Sequence, residues 1–434
     1  MGEVGTSAML FPPSSFQIFL STTSNTQRVL PISQMTMTSK HNNLPARFIA
    51  HLLALLALVV CTVAQSAPYT PTDGATVVET LKKNSRQGEL QAMRALVASN
   101  PGDLQNVSSL ARRYITEARN TGDPRYMGYA QATLARWWNQ VDAPTEILVL
   151  RATIRQSSHQ FPAALVDLDL VLRKDRNNLQ AWLTRATILQ VMGNYAEARN
   201  SCLRLSSIAP EIVTTTCLTN IGSLSGEAEK SYAALADRYK KSLPLDPAIQ
   251  IWVQTLLAEM AARRGDTIAA LEWYQRALAA DVADSYLLGS YSDFLLDQNR
   301  VAEVIALLQD KSSVDALLLR YTIALQRQKS PLAATQASAL EQRFNAAVMR
   351  EDTVHQREHA RFELEVKNRP AAALVLAQKN WEVQKEPADL RIYLQAAVAS
   401  KNRQAALPAL AWLKTSKLED KTIQALVAKL GGAG

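Results

Sequence analysis

The segment Leu150-Arg151-Ala152-Thr153-Ile154 returns almost intact as Thr184-Arg185-Ala186-Thr187-Ile188, an offset of 34 residues from Arg151 to Arg185. Two antiparallel helices of about a dozen residues, with two short turns, occupy roughly that length. The register continues beyond the echo. Behind the first copy stand His159, Phe161, Ala164, Leu168 and Val171, and behind the second Gly193, Tyr195, Ala198, Cys202 and Leu205. The series runs on through Ala258, Gly265, Ala270, Tyr274 and Ala277, then Ser292, Asn299, Val301, Val304 and Leu308. An ordinary helical bundle has no reason to keep a constant period through several units, so the chain reads as a helical solenoid whose work is binding.

The residue types at these positions have a packing logic. Small side chains midway along the first helix (Ala152, Ala186, Ala258, Ser292) let the second approach closely, where Ala164, Ala198 and Ala270 are also small. Leu168, Cys202, Tyr274 and Leu308 fill the space one turn on, and Gly193, Gly265 and Asn299 suit a turn needing positive φ. Pro210 falls where one unit hands over to the next. The pattern resembles the tetratricopeptide repeat (TPR), with Trp182, Ala186, Gly193, Tyr195, Ala198 and Pro210 as the best-matching unit. That resemblance implies an all-α fold, a right-handed α-solenoid of TPR-like helix-turn-helix repeats.

The clear repeats span 145–318, with a longer unit between Ile212 and Gln250 that carries extra residues around Pro244 and Pro247. Degenerate helix pairs are expected over 68–144, and degenerate repeats with a cap over 319–434, the latter by analogy. Ahead of them, Lys40 and Arg47 precede an apolar run from Phe48 to Val63, followed by Ala64-Gln65-Ser66-Ala67-Pro68. A basic start, an apolar run and small residues at its end describe a secretory signal peptide over 35–67, cleaved after Ser66 or Ala67. The run is short for a membrane span, though an uncleaved leader would tether the protein to the membrane. Val60 before Cys61 is wrong for a lipid anchor. The Ser/Thr-rich stretch 1–34 reads as a disordered preface, with Met35 or Met37 as a conventional start. Export, to the periplasm, is the expectation.

The chain carries a formal net charge of +8. The charge is scattered in short pairs such as Arg112-Arg113, Lys240-Lys241 and Arg263-Arg264, without interleaved aromatics. No nucleic-acid partner is expected. Past the leader only Cys202 and Cys217 remain, on the second helix of one unit and the first of the next. Those surfaces touch in a solenoid, so an oxidising compartment favours a disulfide; two buried thiols serving as apolar filler are the alternative.

One segment carries the look of chemistry. His355-Gln356-Arg357-Glu358-His359 matches the His-x-x-Glu-His pattern of inverted-motif zinc peptidases, with Glu358 as base. A third ligand would have to be Glu363, Glu365 or the distant Glu419, none in a recognisable motif, and Arg350, Arg357 and Arg361 add unwelcome positive charge. No metal, cofactor or catalytic residue is expected, and the zinc peptidase stays as the alternative. In TPR proteins the first helices line a concave groove that binds a protein or peptide. Carried onto this chain, that groove would hold Thr153, Gln156, Thr187, Gln190, Trp252, Glu259, Tyr286 and Asp293. The recurring Thr and Gln would hydrogen-bond an extended peptide, with Trp252 and Tyr286 as flat anchors; ordinary surface polarity is the other reading. Leu183 and Thr187 stand where chaperone-binding repeats need a Lys/Asn clamp, so chaperone tails are disfavoured.

Overall fold

The computed structural model describes residues 85–280, 284–352 and 354–431. The expected preface 1–34, the expected leader 35–67 with Lys40, Arg47 and Cys61, and the beginning of the 68–144 segment lie outside the described residues. The account below concerns the compact unit that begins at Leu90.

Helices dominate, and among the described residues there is no strand. After α1 (Ser85–Ser99) the elements come in antiparallel pairs, each reversed at one residue of positive φ. Helices α2 (Leu104–Thr121) and α3 (Arg125–Thr133) turn at Gly122, and α4 (Thr145–Ser157) and α5 (Phe161–Lys174) at His159. The pair α6 (Leu179–Val191) and α7 (Tyr195–Leu203) turns at Gly193, and α8 (Glu211–Leu224) and α9 (Ala228–Lys241) at Gly226. Gly265 separates α10 (Pro247–Arg264) from α11 (Thr267–Leu278), and Asn299 separates α12 (Ser285–Asp297) from α13 (Val301–Leu308). Lys329 lies between α14 (Asp315–Arg327) and α15 (Leu332–Met349). Helix α16 (Gln356–Arg361), prolonged by a π turn over Phe362–Val366, meets α17 (Pro370–Val383) at Asn368. Lys401 joins α18 (Pro387–Ala399) to α19 (Arg403–Ser416), and α20 (Lys421–Gly431) comes last.

Seven of these turns share one mechanism. A left-handed residue just past a helix lets the next N–H reach back to a free carbonyl five residues earlier. That bond recurs as Gln160 to Arg155, Asn194 to Leu189, Glu227 to Gly222, Asp266 to Ala261, Arg300 to Leu295, Ser330 to Leu325 and Asn402 to Ala397, at 2.8–3.0 Å. Glycine adopts this conformation without strain; His159, Lys329, Asn368 and Lys401 do so at the cost a Cβ imposes. Helix starts are equally local. Asp103, Asn178, Asp246, Asp266, Asp284 and Asn402 each accept a hydrogen bond from a first-turn N–H.

The small repeat positions Ala152, Ala164, Ala186, Ala198, Ala258, Ala270, Ala277 and Ser292 are buried, as are Leu168, Cys202, Tyr274 and Leu308. Trp182 is half-buried and donates its indole N–H to Arg176 O at 2.8 Å. Pro210 immediately precedes α8. Cys202 on α7 and Cys217 on α8 form a disulfide, stapling one pair to the next. A buried ion pair joins α4 to α5: Arg151 reaches Asp167 at 2.6 and 2.9 Å and donates to the carbonyls of Trp137, Trp138 and Gln140. Among the described residues no helix is long and apolar enough to cross a membrane.

Three apolar clusters run through this unit. One extends from Leu90 to Val191, a second from Leu183 to Phe362, and a third gathers α17–α20 with Ala360 and Leu224. The third reaches back to turns far away in sequence. The Lys385 N–H donates to Val191 O at 2.7 Å, and Glu419 accepts from the Ala228 N–H at 3.0 Å. Trp412 meets Tyr195 edge-on at 6.0 Å, while Lys417 and Lys421 lie over Gly226 and Gly265.

Candidate functional site

The polar residues expected along the first helices divide into two groups. Thr153 and Thr187 are buried, and each returns its hydroxyl to a carbonyl one turn back, Val149 O at 2.9 Å and Leu183 O at 3.1 Å. Gln190 is buried and accepts from Asn220 Nδ2 at 2.9 Å, which ties α6 to α8. Gln156 is 2% exposed, and Trp252 sits at 3% within the second apolar cluster. Their recurrence therefore coincides with helix-to-helix packing: a Thr that bonds its own helix tolerates burial without a partner from outside. None of these five presents an open face, contrary to the expectation of an exposed groove surface.

The second group converges. Tyr286 Oη donates to Glu259 Oε1 at 2.7 Å, Ser290 Oγ to the same oxygen at 2.8 Å, and the Tyr274 and Ser290 hydroxyls are bonded at 2.7 Å. Burial pushes the Glu259 carboxyl upward, against the pull of Arg263 and the two hydroxyls. One turn along α12, Asp293 takes Arg320 Nη2 at 2.6 Å and Arg361 Nη1 at 2.5 Å. Burial opposes its charge, but the two guanidiniums overcome this and hold it well below the usual carboxylate range. Asp297 is gripped by both terminal nitrogens of Arg391 at 2.5 and 2.6 Å.

These side chains line a cavity of about 350 Å³. Helices α10, α12 and α14 form one wall, with Glu259, Tyr286, Asp293 and Arg320. The other comes from α16, α18 and the start of α20, with Arg357, Arg361, Glu386, Arg391 and Asp420. Arg357 is shared between Glu358 (3.2 Å), Glu386 (3.1 Å) and Asp389 (3.3 Å), and Asp389 also accepts from Asn380 at 2.8 Å. Glu386 and Asp389 close a capping box at the start of α18. Burial, only partly offset by Arg357 and reinforced by Asp389, raises Glu386 to about 7. The site is thus a lattice of paired charges around a hollow.

The residues of the His-x-x-Glu-His pattern are engaged in and beside this lattice. Glu358 is committed to Arg357; burial opposes its charge, yet Arg357, His355 and Arg320 hold it at about 2, too weak a base to activate water near neutrality. His359 stacks on Phe344 at 4.8 Å with rings 2° from parallel, and faces Glu363 at 3.7 Å. His355 precedes α16, and no group of three His, Cys, Asp or Glu able to hold a metal occurs among the described residues. Of the residues around the hollow, sequence reasoning missed the roles of Arg320, Arg361, Glu386 and Arg391. A local signal existed only for Glu386: Glu-Pro-x-Asp is a legible helix start.

No protein-family model matches the chain, and no curated protein does. Solved structures of low identity do. The chain is similar to the APC/C hetero-tetramer Cut9-Hcn1 (TM-score 0.38, 10% identity, covering 81% of this chain and 90% of that one). It is similar to the human IFIT1 dimer with m7Gppp-AAAA (TM-score 0.35, 14% identity, 80% and 86% covered). Yeast Tom70 is a third (TM-score 0.29, 13% identity, 80% and 95% covered). Similarity at this level says nothing of ligand or partner. The helix pairs themselves define the class: an all-α solenoid of TPR-like repeats.

Proposed function

We propose that this chain is a non-catalytic scaffold that binds a protein or peptide, working after export in the cell envelope and assisting assembly of a complex. The observation that carries this reading is the convergence of polar groups from successive first helices, Glu259 from α10, Tyr286 and Asp293 from α12 and Arg320 from α14, on one cavity. Paired charges and hydroxyls around a hollow select a ligand by hydrogen-bond geometry. The export half of the reading rests on Lys40, Arg47, the apolar run and the small residues up to Ala67.

Affinity capture from an envelope fraction tests the binding half. Wild type should retain a partner that Glu259→Gln/Asp293→Asn loses while keeping its helical circular dichroism. Equal capture by both would remove the cavity from the binding surface. N-terminal sequencing of the mature protein tests export: a start at Ala67 or Pro68 is expected, and an intact leader would replace the free protein by a membrane-tethered form.

A further inference from the structure

Asp293 and Asp297 lie one turn apart on α12, and both are met by arginines from the C-terminal helices, Arg361 and Arg391. The chain thus displays what its own α12 wall recognises. Between the two walls a half-open hollow of about 350 Å³ remains. Glu259 lines that hollow, is hydrogen-bonded by two hydroxyls, and has Arg263 of the same lining as its charged neighbour.

Against α4–α12 the attachments of α17–α20 are the half-exposed Arg391–Asp297 pair, the Lys385–Val191 and Glu419–Ala228 hydrogen bonds, Gln384 to His159 at 3.1 Å, and Trp412 against Tyr195. Toward α16 they are held more firmly, by the buried pairing of Arg357 with Glu386 and Asp389. Partly exposed ion pairs hold weakly and weaken further with salt. These four helices also carry an apolar cluster largely their own, so they can move as a body. The link to the rest is a π turn followed by Asn368 at φ 52°, and π turns interrupt the regular helical bond ladder.

We propose that α17–α20 are a lid that occupies the concave face in cis, with Arg391 holding the place that an arginine-bearing segment of a partner protein takes, and Glu259 as that segment's second anchor. The purpose of opening rests on the scaffold reading above; the opening itself does not.

The test uses the exported chain with its native disulfide intact and spin labels at Ile268→Cys and Leu407→Cys, both exposed positions. At low salt a single short-distance population is expected. A longer one should grow in 1 M NaCl and in Arg391→Glu, and the exchanged pair Asp297→Arg/Arg391→Asp should return it to the short one. Fluorescein-labelled nona-arginine is the binding probe, read by anisotropy beside nona-lysine and nona-glutamate. Arg391→Ala should bind nona-arginine about tenfold tighter than wild type, and adding Glu259→Gln/Asp297→Asn should abolish the gain. A distance unmoved by both salt and Arg391→Glu overturns the lid. Equal nona-arginine binding by wild type, Arg391→Ala and the acid-free variant overturns the arginine-bearing partner. The salt arm needs no substitution, so a misfolded variant does not rescue the idea. The distance is read without a partner, so it is independent of the capture experiment.

Discussion

Arg151 illustrates how one side chain can bind a unit together. Its guanidinium satisfies Asp167 and three backbone carbonyls with almost no water contact. A buried charge stripped of its partner is costly, on the order of 3–5 kcal/mol. Asp167→Ala should therefore lower unfolding free energy by about that amount in denaturant melts, far more than a surface aspartate such as Asp169. Glu386 offers a pH test. Its carboxyl is raised to about 7 by burial, against Arg357 and with Asp389 and Glu259 adding repulsion. A raised acid binds its proton more tightly when folded, so its contribution is whole below the ordinary carboxyl range and is lost as pH climbs through 7. The wild-type melting temperature should fall relative to Glu386→Gln between pH 5 and 8. His159 works in the opposite sense: burial, then Arg357, bring it down to about 4, so its contribution is lost as pH falls from about 6.5 toward 4.

At the scale of elements, the recurring turn is the unit of construction. Gly193, Gly265 and Asn299 were legible as turn residues because glycine and asparagine tolerate the left-handed region. Lys329 and Lys401 were not, since nothing in a lysine announces positive φ; the helix on either side imposes it. Replacing Gly193 by Ala should cost about 1 kcal/mol from conformation alone, and more if Trp412, 3.0 Å from the new Cβ, cannot shift. The Cys202–Cys217 bridge closes a loop with a sequence separation of 15. Closing a loop of that size constrains the unfolded chain by about 3 kcal/mol. Reductant should therefore lower thermal stability of wild type while leaving Cys202→Ser/Cys217→Ser unchanged.

The whole unit departs from a simple stack, in which each repeat touches only its neighbours. Here α19, α20 and the loops beside them touch turns at Gly193, Gly226 and Gly265, far earlier in the sequence. Damage at the C-terminal end should consequently be felt at a distance. Trp412→Ala removes edge-on contacts with Trp381 and Tyr195; hydrogen exchange should rise in peptides covering Gly193–Tyr195, while α14 in the second core keeps its protection. Unchanged exchange at that turn would make the docking energetically empty.

The amino-acid sequence by itself determined that helices form, where most of them begin and end, and that they pair at a constant interval. Caps, turn residues and the small-residue register all act within a few dozen positions, so they can be read along the chain. Only the tertiary structure decided which polar side chains meet. Thr153 and Glu259 occupy comparable places on first helices, yet one bonds its own backbone and the other lines a cavity. Asp297 and Arg391 lie 94 positions apart, and nothing local marks either as the other's partner. That pairing arises from small rotations between successive repeats, which accumulate until the end of the chain comes to face its middle.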